Sequence, residues 1–207
     1  FKGITMWRQC FYYNVFVKVT VYKINYWKFF HFCKINVNAG FAIYGTVSDL
    51  SIEEIESQMR TNYLGMVYCT KNFLSTFQKQ NSGHIVNVAS VAASFGLPGI
   101  ASYCASKFAM LGFSEGLKHE LRGTKIGITV VSPIMVRTNF FDHESFGKMS
   151  RYSSTVLKPT IVAKAIVKAS SSPRLEIIVP QFVRIVIWIK QTFPYFINPI
   201  ISKAFSK

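Results

Sequence analysis

The stretch HIVNVASVAASFGLPGIASYCASKF, residues 84–108, decides how this chain is read. It begins as an apolar run closing on Ser90, breaks at glycine and proline, and resumes as a helical segment carrying Tyr103 and Lys107. Residues at i and i+4 project from one face of a helix one turn apart, so the Lys107 ammonium is expected beside the Tyr103 phenol. A free phenol titrates near pH 10, and lowering that by about 3 units takes roughly 4 kcal/mol of preference for the phenolate. One positive charge about 4 Å away, at an effective dielectric of about 20, supplies roughly that amount. Tyr103 is thereby expected to exchange a proton near neutral pH, as general acid–base chemistry requires. IVNVAS reads as a buried strand, which puts the Ser90 hydroxyl at its C-terminal end, where open α/β sheets bind ligands. Serine, tyrosine and lysine then converge on one oxygen.

The flanking segments alternate between strand and helix. Ile35 to Val37 ends a buried strand and is followed by the turn Asn38, Ala39, Gly40. Ser51 and Glu54 form a capping box that opens a helix running to about Gln80, stopped by Asn81, Ser82 and Gly83. After the strand from His84 to Ser90 comes a helix from Tyr103 to Leu121, with Gly123 placed to terminate it. A strand from Ile126 to Val131, a helix from Thr160 to Ser171 and a strand from Leu175 to Val179 complete the series. His84 and His119 read as ordinary polar residues, and Phe108, Leu111, Phe113 and Leu117 as packing.

With these residues in place the chain resembles the short-chain dehydrogenase/reductase family over roughly residues 35–180. The resemblance rests on Ser90, on YCASK from Tyr103 to Lys107, on NAG from Asn38 to Gly40, on Asn62 in TNYLG, and on SPIMVRT from Ser132 to Thr138. It implies an α/β fold, a Rossmann-like doubly wound parallel sheet, here expected to lack the first βαβ portion. It implies NAD(P) as cofactor and reversible hydride transfer to a carbonyl or from a secondary alcohol. Tyr103 would give or take the proton, Ser90 would polarise the carbonyl oxygen, and Lys107 would lower the tyrosine pKa and bind the nicotinamide ribose. Asn62 would hold a relay water. Asn38, Ala39, Gly40 and Pro133 would border the cofactor, Val136 would meet the carboxamide through its backbone, and Thr138 a phosphate-side oxygen. The helix after Ser90 would build a homodimer or homotetramer. Residues 139–158, with Phe140, Phe141, Phe146 and Tyr152, fall where related enzymes carry a lid; these aromatics suit either an apolar substrate or the lid's own packing.

Two departures from the family pattern stand out. Val37 occupies the position of a first asparagine before NAG, which removes a side-chain hydrogen bond, and Ile134 follows Pro133 where glycine is usual. Residues 1–34 form an atypical basic and aromatic segment whose only glycine is Gly3, so no glycine turn is present to cradle a pyrophosphate. The strand expected beside Ile35 to Val37 would also be missing, exposing an apolar edge. Val15, Val17, Val19 and Val21 alternate with other residues at strand period, so the segment from Val15 to Ile24 could cover that edge. The expectation is nonetheless an N-terminally truncated product.

The chain has 207 residues, half of them hydrophobic, and 24 basic against 9 acidic residues for a net charge of +15. Length and composition fit a globular core and exclude wholesale disorder. The bases are scattered without blocks or an aromatic–basic repeat, so no nucleic-acid partner is expected. Cys10, Cys33, Cys69 and Cys104 show no ligand spacing, so no metal site is expected and the setting is read as reducing and cytoplasmic. Residues 181–207 form an apolar, basic extension with no span of about 20 uncharged residues to cross a membrane. It reads either as an interfacial membrane contact or as a pair of helices closing over the cleft. NYLGMVY and KPTIVAKAIVKA resemble lipid-directed members of the family such as 3-ketosphinganine reductases, which points to a small-molecule carbonyl or alcohol with a long chain. The competing reading is a catalytically inactive remnant acting as an interaction or membrane-surface protein.

Overall fold

The computed structural model describes residues 6–7, 19–23, 32–148, 156–169 and 174–205. A six-stranded sheet runs in the order β1 (Met6–Trp7), β2 (Val19–Lys23), β3 (Phe32–Val37), β4 (Gly83–Val88), β5 (Ile126–Pro133), β6 (Glu176–Val179). From β3 to β6 every pairing is parallel, each pair of strands joined through helical crossovers. The intervening helices are α1 (Ile52–Met59), a π-helical turn (Arg60–Leu64), α2 (Gly65–Gln80), α3 (Ala101–Glu120) and α4 (Pro159–Ala169).

Strands buried on both faces need apolar residues at every position, and β4 is buried along its whole length. Its odd-numbered Ile85 joins Ile35, Val37 and Ile128 under Met66, Cys69, Phe77, Met110 and Leu117 of α2 and α3. Its even-numbered Val86 and Val88 join Val131 and Val179 under Val162, Ile166 and Ala169 of α4. Helices therefore cover both faces, which makes the sheet doubly wound, as the sequence implied.

The local signals hold with small shifts of boundary. Ser51 Oγ accepts from Glu54 N–H at 3.2 Å while Ser51 N–H donates to Glu54 Oε2 at 2.8 Å, closing the capping box. The helix continues to Gln80, ended by Asn81 in the left-handed region at φ 45°. α3 starts two residues before Tyr103 and ends at Glu120, with Gly123 at φ 86° beyond it. Strand β4 stops at Val88, so Ser90 lies two residues past the strand and caps a 3-10 turn, Val91–Ala93.

On the other flank of β3 the pairing changes direction. β2 runs antiparallel to β3, with Val21 opposite Ile35 and Val19 opposite Val37. The alternating segment thus covers the β3 edge over residues 19–23; Val15 to Lys18 lie outside the described residues. At the far end lie two further helices, α5 (Val183–Thr192) and α6 (Pro194–Phe205). No helix among the described residues is long and apolar enough to cross a membrane.

Candidate active site

The C-terminal ends of β3, β4 and β5 open onto one cleft of about 1070 Å³. Asn38, Gly40, Ser90, Tyr103, Lys107, Pro133, Val136 and Thr138 all line it. Ala39 does not; it packs against the core beneath α2 and α3. Asn62 stands behind the wall, fully buried.

The Lys107 ammonium lies 5.6 Å from the centre of the Tyr103 ring and donates to the Val88 carbonyl at 3.2 Å, with Met110 Sδ at 3.5 Å. The helical spacing brings the pair together as expected, but the electrostatic outcome differs. Burial drives the Tyr103 phenol above its usual value, and this outweighs the Ser90 hydroxyl, whose hydrogen bond pulls it down. The same burial lowers Lys107 to about 8. Desolvation penalises both charged forms, so in this structure the phenol holds its proton and the expected downward shift is not met. Ser90 Oγ accepts from Ala92 N–H at 3.1 Å and donates to the Pro133 carbonyl at 3.4 Å, which ties it between the β4 and β5 loops.

A two-rung polar ladder fixes this wall. Gln58 and Asn62, four residues apart, face Ser102 and Ser106, also four apart, on α3. Gln58 Nε2 donates to Ser102 Oγ at 3.1 Å, and Asn62 Nδ2 donates to Ser106 Oγ at 2.9 Å. Each rung also grips the chain leaving β3: Gln58 Oε1 accepts from Ile43 N–H at 3.2 Å, and Asn62 exchanges two bonds of 2.9 Å with the Phe41 backbone. Ser102 and Ser106 immediately precede Tyr103 and Lys107, so each rung sets one cleft residue. The π-helical turn contains Asn62, and such turns commonly mark functional positions. Gln58, Ser102 and Ser106 were not singled out from the sequence. The signal was there: two polar residues at helical spacing on an apolar face, matched by two serines at the same spacing.

Gly40 closes the back of the cleft. A Cβ there would sit 3.1 Å from Asn62 Oδ1 and 3.2 Å from Lys107 Nζ, so the space between amide and ammonium is kept by the missing side chain. On the opposite wall Val136 bridges to Leu157, and the bonds flanking it run from Leu157 N–H to Met135 O and from Arg137 N–H to Leu157 O, each 2.9 Å. That pattern turns the Val136 amide away from Leu157. Thr138 Oγ1 accepts from Phe140 N–H at 3.3 Å, which leaves its O–H as a donor. Ile134, in the place of a glycine, packs with Ile178, Val183 and Ile187 and anchors α5.

Phe140 covers Tyr103 edge-on at 5.4 Å between ring centres, and Phe141 and Phe146 pack on Phe140 and on each other. Ser145 Oγ accepts from Tyr44 N–H at 2.9 Å and pins this aromatic roof to the loop after β3. The three phenylalanines pack on one another and also line the cleft. Tyr152 lies outside the described residues. His84 is buried far from this wall with Nε2 2.9 Å from Thr129 Oγ1, and burial, with Lys34 nearby, lowers it to about 4. His119 lines no part of the cleft.

A family model described as short chain dehydrogenase matches residues 33–147. Among curated relatives, retinol dehydrogenase 10 of Homo sapiens is 36% identical over 146 residues, covering 69% of this chain and 43% of the relative. Oxidoreductase BOA17 of Botryotinia fuckeliana is 37% identical over 103 residues, half of this chain and 38% of the relative. The chain thus spans less than half the length of these relatives. Among solved structures, a short chain dehydrogenase from Burkholderia cenocepacia in complex with NADP aligns over 82% of this chain and 68% of its own, with TM-score 0.70 and 22% identity. Serine dehydrogenase from Escherichia coli aligns over 68% of this chain and 60% of its own, with TM-score 0.56 and 30% identity.

Proposed function

The chain belongs to the short-chain dehydrogenase/reductase family, and from that premise we propose that it serves an NAD(P)-dependent oxidoreductase that reduces a carbonyl or oxidises a secondary alcohol. The observation that carries this reading is the convergence of Ser90, Tyr103 and Lys107 on one wall of the cleft, with Asn62 and Gly40 behind them. The nicotinamide end of a dinucleotide fits what is present. Gly40 leaves room beside the Lys107 ammonium, and Val136 and Thr138 line the cleft with it. Among the described residues no glycine-rich turn beside β3 offers itself to the pyrophosphate, so this fit extends to the nicotinamide half alone.

A bound nicotinamide cofactor supplies or accepts the hydride. The chain's own residues handle the proton and the oxygen. Tyr103, kept protonated by burial, presents an O–H to a carbonyl oxygen, the form that reduction requires. Ser90, once its O–H turns from the Pro133 carbonyl, would hold the same oxygen by a second hydrogen bond. Lys107 remains mostly charged near neutral pH and offers N–H donors toward Gly40, where ribose hydroxyls would lie. Asn62 Oδ1 keeps one acceptor position beyond its bond to Phe41 N–H, suited to the relay water. The roof of Phe140, Phe141 and Phe146 excludes bulk water and favours an apolar substrate, with Leu97, Ile100 and Val162 adding to the same lining. Retinol, for which one relative is named, is an alcohol of that character. Self-association through α3 belongs to the same reading: Phe108 is 43% exposed there, and light scattering would report a dimer mass.

Titrating NADPH and NADH into the folded chain while following nicotinamide fluorescence tests the proposal. Saturable binding that weakens in Lys107→Ala supports it. Absence of binding by either nucleotide favours the second reading, a non-catalytic member of the family, for which the antiparallel β2 beside β3 is the specific observation.

A further inference from the structure

Among the described residues, eight of the thirteen exposed large apolar side chains fall within residues 182–200. Tyr195 is 90% exposed, Phe196 75% and Trp188 60%. Helix α5 is not loosely placed. Val183 and Ile187 bury against Ile178, Lys190 Nζ donates to the Ser94 carbonyl at 3.1 Å, and an Arg184 N–H donates to the Glu176 carbonyl at 3.2 Å. One face of the helix is thus fixed on the domain, and Ile185, Val186 and Trp188 are held outward. So many exposed apolar side chains within one short segment mark a contact.

The composition of the cluster says with what. After Glu176 the sequence carries Arg184, Lys190, Lys203 and Lys207 and no acidic residue, in a chain of net charge +15. Tryptophan and tyrosine among aliphatic residues and lysines suit the boundary between headgroups and acyl chains, and the charge suits an anionic leaflet. Phe182 belongs both to this exposed cluster and to the lining of the cleft. We infer that α5 and α6 seat the protein on an anionic lipid surface, with Phe182 placing the cleft mouth against the lipid. Seating requires no turnover. Exchange of an apolar substrate between lipid and cleft through that mouth rests on the oxidoreductase reading.

The test is co-sedimentation of the full chain with phosphatidylcholine vesicles, with and without phosphatidylserine, at low and high salt. The chain should pellet with the anionic vesicles and be largely released by salt. The double variant Trp188→Ser/Phe196→Ser should lower the bound fraction on the order of tenfold, because two apolar side chains leave the lipid. Both positions are exposed, so its melting midpoint should match the parent's, which separates lost contact from lost fold. With brominated lipid, tryptophan fluorescence should be quenched in the parent and much less in Trp188→Phe. Equal partitioning of parent and double variant, no binding to anionic vesicles, or undiminished quenching in Trp188→Phe would overturn the inference. So would a dimer dissociated by the double variant without vesicle binding, which would assign the surface to a second copy of the chain. Nucleotide titration of the same samples keeps a failure here distinct from a failure of the oxidoreductase reading.

Discussion

At Tyr103 the decisive quantity is which charge burial suppresses. Tyr103→Phe should leave the fold intact, since it removes only an O–H, and should lower turnover by about 10²- to 10⁴-fold, the usual worth of a placed acid or base. Lys107 makes a sharper prediction. Its pKa is lowered when folded, so the unfolded chain binds its proton more tightly and the buried ammonium costs stability below pH of about 8. Lys107→Met should therefore weaken nucleotide binding yet raise stability by about 1–2 kcal/mol, net of the lost bond to Val88. Thermal melts at pH 7 check it; a lower midpoint in the variant would contradict the assigned burial cost. A third residue-scale case is Asn87, whose Oδ1 is buried without a hydrogen-bond partner while Nδ2 donates to Ser114. Its in-register neighbour on β3 is Val37. Side chains of in-register neighbours share a face about 4.8 Å apart, so Val37→Asn places an N–H donor where one is missing. The expected gain is about 1 kcal/mol, against the usual loss on putting a polar group into a core.

At the scale of elements, the ladder between the α1–α2 helix and α3 carries the site. Gln58→Leu keeps the volume but strands the Ile43 N–H and the Ser102 hydroxyl, at about 1–3 kcal/mol for the unmade bonds. Since Ser102 directly precedes Tyr103, a positioning role predicts that kcat falls more than the melting midpoint alone would suggest. Gln58→Glu, which can still accept from Ile43 N–H, should restore part of it. A purely structural role would move stability and leave the residual kcat intact. The π-helical turn is the element-scale feature with no simple sequence mark: RTNYL carries no glycine or proline to disturb a helix. It coincides with the three hydrogen bonds that Asn62 makes across to Phe41 and Ser106.

For the whole molecule, pH dependence gathers the buried groups. His84 is lowered to about 4, so the fold loses stability as pH falls from about 6.5 towards 4; Lys107 makes it gain stability as pH rises from about 8 towards 10.5. Tyr103, raised above its usual value, reverses the trend above pH of about 10, because the unfolded phenol then ionises first. Melting midpoints across this range should rise in two steps, and His84→Gln should flatten the acidic one. The β3 flank supplies a separate expectation. Val21→Pro breaks the antiparallel ladder that covers β3, so it should expose an apolar edge and promote aggregation measurable by light scattering.

What depends on spacing and local chemistry is legible along the chain. The i, i+4 placement of Tyr103 and Lys107, the Ser51 capping box, the two-face burial of residues 84–88 and the absence of Asn at position 37 all follow from neighbours along the chain. Matters that depend on groups distant in sequence emerge from the folded arrangement alone. These are the upward shift of the Tyr103 phenol, the pairing of Gln58 with Ser102 across 44 residues, the closing of β2 against β3, and the outward face of α5. The physical reason is common to all four. Desolvation, register and exposure are properties of what folds around a residue, and no local pattern records which segment that will be.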